Sequence, residues 1–132
     1  MTRRLINPSG LYDGAPIGLS QGVLDAGTGL LFISGQVDWN LDHQVSHDTV
    51  AGQFEAALGK LGEVLREAGA GVEHLLQLRI FVRGELEDHM PALAPPLAAF
   101  LRGSRVAITG VGMASLASRA TLVEVEAVAQ VP

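Results

Sequence analysis

Two glutamates, two positions apart, are the residues of this chain best placed to do chemistry. Glu124 and Glu126 alternate with apolar residues in the segment VEVEAVA, and alternate residues of a strand point to the same face. Their carboxyls would then stand about 7 Å apart. Such a pair can raise one pKa and supply a general base near neutral pH. The simpler alternative is a solvated or salt-bridged pair on an outer face.

Two histidines have the spacing of metal ligands but not the context. His43 and His47 are four residues apart, with Asp42 and Asp48 beside them. That spacing serves a metal when the segment is helical, whereas residues 41–46 have the character of a loop. The chain has no cysteine, which excludes disulfides, thiolate nucleophiles and Cys-ligated metals. We therefore predict no metal site and no cofactor.

Composition limits the class of protein. A chain of 132 residues predicts a single domain, residues 1–132. The net charge is −5, and only Arg3 and Arg4 are adjacent cations, so no nucleic acid partner is expected. No apolar run approaches the length of about 18 residues that a membrane helix needs, and no signal peptide is evident. We expect a soluble, cytoplasmic protein with no membrane partner, some of whose apolar residues cover a subunit interface.

The elements that would position these residues alternate between strands and helices. Residues 5–20 are rich in turn formers and predict a loop, and residues 20–25 and 30–37 predict a hairpin. Residues 48–69 predict a helix, capped by Ser46 or Asp48 at its start and by Gly69 at its end. Its apolar stripe consists of Val50, Phe54, Leu58, Leu61 and Leu65.

The second half of the chain predicts a strand, a helix and two further strands. In the strand 75–82, one face carries Leu76, Leu78, Ile80 and Val82. Residues 86–101 have helical spacing, but three prolines predict a kink or a late start near Pro95. Strands over 106–113 and 122–130 complete the order β-β-α-β-α-β-β. The fold class is therefore α/β.

Several segments in this order resemble the Rid family of reactive-intermediate deaminases, also called YjgF or endoribonuclease L-PSP-like. They are LINP (5–8), IGLSQGV (17–23), FISGQ (32–36), IFV (80–82) and VEVEAVA (123–129). The resemblance covers nearly the whole chain. It implies a chorismate-mutase-like subunit, with two helices packed on one face of a mixed sheet, that assembles into a homotrimer with ligand clefts between subunits. Active members hydrolyse enamines and imines to a keto acid and ammonia.

The resemblance also implies which residues form the site. The glutamate that orients the attacking water falls on Glu126, and Ser34 and Gly35 fall on the family's Ser-Gly pair. A tyrosine of the family's cleft falls on Leu19, and its carboxylate-binding arginine falls on Ile108. The family's asparagine falls on Ala94. The resemblance thus makes Glu126 the catalytic candidate, and the substrate-binding candidates are Ser34, Gly35, Leu19 and Ile108.

Loss of the arginine would change the substrate. A carboxylate against Ile108 and Leu19 would be desolvated without a partner, which is costly, so the usual 2-imino acids are not expected as substrates. Arg105 or Arg79 could substitute, although Arg105, three residues before Ile108, would point to the opposite face of a regular strand.

These residues lead to two functional hypotheses. The first is a Rid-like small-molecule hydrolase or deaminase acting at inter-subunit clefts on substrates that lack the usual carboxylate. The alternative is a non-catalytic trimeric ligand-binding or partner protein that retains the fold. The negative net charge disfavours an RNA-cleaving role.

Overall fold

A single six-stranded mixed sheet carries two helices on one of its faces. The computed structural model describes residues 2–132. The strands are β1 (Arg3–Ile6), β2 (Gly22–Asp25), β3 (Leu30–Gln36), β4 (Leu75–Arg83), β5 (Ala107–Met113) and β6 (Val123–Gln130), and the helices are α1 (Val50–Glu67) and α2 (Leu86–Leu101). The order across the sheet is β1-β2-β3-β6-β4-β5. All neighbours are antiparallel except β4 and β5. The predicted fold class is confirmed, and β1 is an additional strand that begins before the predicted loop.

Helix α1 packs its apolar stripe on the middle of the sheet, against β3 and β6. Its N-cap is Thr49, whose side chain accepts a hydrogen bond from the Gly52 amide, and not Ser46 or Asp48 as predicted. Its end is as predicted: Gly69 has φ +81°, a left-handed conformation that glycine adopts without penalty. The Ala70 amide then donates to the Leu65 carbonyl and closes the last turn.

Strand β4 contains an irregularity that the sequence pattern does not reveal. Its register with β6 shifts between Leu75 and Gln77, so Leu75 is buried and Leu76 is 48% exposed. The predicted placement of Leu76 on the same face as Leu78 is therefore wrong, because a bulge changes which residues face the core. Leu78, Ile80 and Val82 are buried as predicted.

Helix α2 runs continuously from Leu86 to Leu101 despite Pro91, Pro95 and Pro96, so the predicted late start near Pro95 is wrong. Pro91 and Pro95 are exposed, and the carbonyls that they leave without a helical partner, four residues earlier, lie on the same side of the helix. Water can therefore satisfy those carbonyls. Among residues 2–132, no helix is both long and apolar enough to cross a membrane.

The two faces of the sheet differ sharply in β6. One face of this strand is buried beneath the helices and carries Val123, Val125, Ala127 and Ala129. Glu124 and Glu126 lie on the opposite, open face. That face also carries half-exposed apolar side chains such as Phe32 and Leu5. The open face is therefore where a ligand or another subunit can meet the carboxylates.

Candidate functional site

A cavity of about 460 Å³ opens beside the middle of the sheet, on the face that carries Glu124. Its walls come from the segment before β2, the end of β3 and the loop that follows β3. Two of the sequence-predicted residues, Leu19 and Gly35, line it together with Glu124. Most of the remaining wall is apolar or aromatic, and none of its residues, within the part of the chain that the structure describes, is a lysine or an arginine.

Gly35 allows the Glu124 carboxyl to lie directly on the backbone of β3. The register between β3 and β6 shifts between Ile33 and Gln36, which brings this glycine over Glu124. A Cβ at position 35 would overlap the Glu124 carboxyl oxygen and lie 2.6 Å from its Cδ. Only glycine at this position leaves room for the Glu124 carboxyl where it lies, which gives a physical reason for the predicted importance of Gly35.

The electrostatic setting of Glu124 favours its protonated form. Burial raises the pKa of Glu124, and the neighbouring Glu126 carboxylate raises it further. The pKa of Tyr12 is also raised, mainly by burial, with a smaller contribution from Glu124 and an opposing hydrogen bond from Gln21. A carboxyl of raised pKa exchanges protons closer to neutral pH than an ordinary glutamate does.

Glu126, the predicted catalytic residue, is placed differently. It pairs across the sheet with Arg79, and the guanidinium Nη1 lies 3.6 Å from its Oε2. Both side chains are partly exposed, and Glu126 does not line the cavity. The two-residue offset along β6 separates the carboxyls, so that only Glu124 reaches the hollow. Glu124, and not Glu126, is therefore the carboxyl that borders the cavity. Arg79, one of the two candidate substitutes for the family's arginine, is paired with Glu126.

Ile108 lies on the other face of the sheet. It is in register with Leu78, a core residue, so its side chain is directed toward the helices. There it lines a second hollow of about 420 Å³ beneath α2, together with Ala94 and other apolar residues. Within one subunit, Ile108 and Ala94 are thus separated from both glutamates. Within one subunit, Ile108 therefore does not line the cavity that contains Leu19.

Ser34 links β3 to the segment that carries Leu19. Its hydroxyl donates a hydrogen bond of 2.6 Å to the Ser20 carbonyl and does not line the cavity. The Ser34 amide donates to the Gln21 carbonyl. These bonds fix the segment that carries Leu19 against β3, and Ser34 therefore holds a wall of the cavity in place.

Three aromatic rings, two of which the sequence analysis did not single out, form part of the cavity wall. The ring centroids of Tyr12, Trp39 and His43 lie 5.1–5.4 Å apart, at tilted or edge-on angles. The Trp39 indole donates a hydrogen bond to the Thr121 hydroxyl. Because Tyr12 is distant in sequence from Trp39 and His43, the only available signal was that Tyr12 and Trp39 are the sole tyrosine and tryptophan of the chain.

The two histidines with metal-like spacing do not converge. His43 belongs to the ring cluster, whereas the His47 Nδ1 lies 3.0 Å from the buried Asp38 carboxylate. Asp38 also accepts hydrogen bonds from the Ser46 and His47 amides. Residues 2–132 contain no group of three side chains that could hold a metal ion.

Comparisons with known proteins agree on one family. A sequence profile of the family described as endoribonuclease L-PSP matches residues 15–131. Among solved structures, the chain is similar to YyfB, a Rid-family protein of unknown function from Yersinia pestis, with 33% identity, a TM-score of 0.74, and 99% and 100% of the two chains covered. A member of the YjgF/YER057c/UK114 family from Mycobacterium tuberculosis is 25% identical, with a TM-score of 0.82 and 98% and 99% coverage. Yeast Mmf1 has 17% identity, a TM-score of 0.87, and coverage of 99% and 100%. No curated protein matches the chain.

Proposed function

The chain belongs to the endoribonuclease L-PSP family, also known as the Rid or YjgF family, and from this premise we propose that it hydrolyses small imines or enamines in the cavity around Glu124. Members of the family are deaminases or endoribonuclease-like proteins. The observation that carries the proposal is the Glu124 carboxyl, which lies against Gly35 inside a mostly apolar cavity and has a raised pKa. This combination suits a group that orients water and accepts its proton.

The proposed reaction needs no cofactor. A water oriented by the ionised Glu124 attacks the imine carbon, and its proton passes to the carboxylate as the C–O bond forms. The electron pair of the C=N bond moves to the nitrogen, which takes up a proton and gives a carbinolamine. Collapse of the carbinolamine breaks the C–N bond and releases ammonia and the carbonyl product. An enamine enters the same sequence after protonation at carbon.

The position of Ile108 changes what can be inferred about carboxylate-bearing substrates. The residues of β5 that share the face of Glu124 are Ala107, Thr109 and Val111, because Thr109 is in register with Arg79 and thus with Glu126. Continuing the alternation backwards from Ala107 assigns Arg105 to this face. Arg105, which is exposed, is therefore our candidate for a carboxylate-binding guanidinium, contributed across a subunit boundary.

A paired substitution tests the proposal. Ammonia release from 2-iminobutanoate, and from an imine without a carboxylate, is measured for the unmodified protein, Glu124→Gln and Glu126→Gln, and is corrected for spontaneous hydrolysis. We expect Glu124→Gln to lose at least about 100-fold in rate and Glu126→Gln to retain most of it. Turnover of the imine that lacks a carboxylate but not of 2-iminobutanoate would show that the arginine function is absent.

The same experiment separates the alternative function. If neither imine is turned over by the unmodified protein while ligands still bind, the chain is a non-catalytic binding protein. An endoribonuclease activity is disfavoured, because no lysine or arginine among the described residues lines the cavity and the net charge of the chain is −5.

A further inference from the structure

The cavity around Glu124 has a distinct aromatic side. Tyr12, Trp39 and His43 contact one another ring to ring, and all three border the same hollow as Glu124. Tyr12 and Trp39 are only partly buried, and His43 is exposed. The rings therefore lie at the surface of the cavity and not in the core, where a purely structural aromatic cluster would be expected.

The rings are held in place before any ligand arrives. The Trp39 indole is bonded to Thr121, and the Tyr12 carbonyl accepts a hydrogen bond from the buried Gln21 side chain. His43 has φ +62°, a left-handed conformation that is uncommon outside glycine. It sits in a tight turn in which the Asn40 side chain accepts hydrogen bonds from the Asp42 and Gln44 amides. A preformed aromatic surface loses little entropy when a flat group packs on it.

We propose that the cavity selects ligands with a planar apolar substituent, which packs on Tyr12, Trp39 and His43, and a nitrogen function directed toward Glu124. Ring faces favour planar partners, and a carboxylate favours a protonated amine or an iminium. Because it names the substrate class of the same cavity, this inference rests on the proposed function. The preferred substrates are then imines or enamines that bear an aryl or comparably flat side chain.

Binding of unreactive analogues tests this inference independently of catalysis. Trp39 is the only tryptophan of the chain, so its fluorescence reports on the cavity directly. Three probes are titrated: 2-phenylethylamine, which has both features, propylamine, which lacks the ring, and 2-phenylethanol, which lacks the charge. Calorimetry of the same titrations provides a second measurement. We expect 2-phenylethylamine to bind about tenfold or more tightly than either of the others.

Two variants that keep the tryptophan reporter remove the other rings. Tyr12→Leu retains apolar bulk, and His43→Asn retains a residue that tolerates the left-handed turn. Each should weaken 2-phenylethylamine binding severalfold and leave propylamine binding unchanged. Leu41→Ala is the control, since Leu41 is exposed in the same loop and does not border the cavity.

The possible results distinguish this inference from the proposed function. Equal affinities for 2-phenylethylamine and propylamine, or a preference that survives both ring substitutions, would overturn the aromatic selection. Equal affinities for the amine and the alcohol would overturn the placement of nitrogen at Glu124. None of the probes is hydrolysed, so aryl selectivity without imine turnover would contradict the proposed function alone. Turnover of small aliphatic imines without aryl selectivity would contradict only the inference made here.

Discussion

Gly35→Ala is the substitution that most directly separates activity from stability in this chain. The added Cβ would overlap the Glu124 carboxyl oxygen, and the Cδ of Glu124, 2.6 Å away, would have to retreat by at least about 0.8 Å to reach ordinary contact at 3.4 Å, with the oxygen displaced further. Backbone strain is not expected, because Gly35 does not have a positive φ, and alanine can therefore adopt its backbone conformation. The clash is with the end of a flexible side chain, which can swing away at little cost in folding free energy.

The activity should respond far more strongly than the stability. A displacement of about 1 Å at a reacting group can cost about 100-fold in rate. We therefore expect Gly35→Ala to lower imine hydrolysis by about that factor and to change the free energy of unfolding by less than about 1 kcal/mol, measured by urea denaturation.

Gly59→Ala is the matched control. Position 59 is an exposed position in α1 with no atom within 4 Å of the new methyl group. The substitution should leave activity unchanged and raise the stability by up to about 1 kcal/mol. A Gly35→Ala variant with full activity would refute the idea that the Glu124 carboxyl must lie on the β3 backbone to act.

Four further measurements test the structure, the proposed role of Glu124 and the assembly. The raised pKa of Glu124 means that its folded form binds protons more readily than its unfolded form, so stability falls as pH rises above the usual value of 4.5. Glu124→Gln should therefore melt at a higher temperature than the unmodified protein near pH 7 and at the same temperature near pH 4; equal melting at both would contradict the raised pKa. If Glu124 is the base, the rate should fall on the acid side at a pH above the ordinary pKa range of a glutamate. A fall within the ordinary range in steady-state rates would exclude Glu124 as the base. Gln53→Leu should cost at least about 3 kcal/mol in urea denaturation, because this buried side chain bonds the His47 and Ala120 carbonyls and the Leu122 amide; a loss below about 1 kcal/mol would show that water replaces these bonds. Light scattering should give the mass of three chains, as the family resemblance implies, and a stable monomer at micromolar concentration would argue against a cleft between subunits.

Sequence patterns determined the elements well where a residue's role depended on its near neighbours. The stripe of α1 and the left-handed Gly69 are local features, and both were predicted correctly. The placement of Leu76 was not, because a bulge arises from the pairing of two distant strands.

The site was partly predictable for the same reason. Leu19 and Gly35 were identified from short motifs and do line the cavity. The choice between Glu124 and Glu126 depended on the register of β6 with β3 and β4, and the face of Ile108 depended on its register with β4. A sequence alone does not contain these registers. The aromatic wall likewise requires two segments far apart in the chain to meet.

The position of β6 in the sheet has a consequence for synthesis. It is inserted between β3 and β4, although every other strand precedes it in the chain. Until β6 has been translated, the sheet can form only as two separate pieces, β1-β2-β3 and β4-β5. Each piece has an unpaired edge to which β6 later pairs. Growing chains would therefore expose aggregation-prone edges on the ribosome. Because β6 also carries Glu124, the carboxyl of the proposed site enters the molecule in the same step that closes the sheet, and a half-folded chain lacks this wall of the cavity.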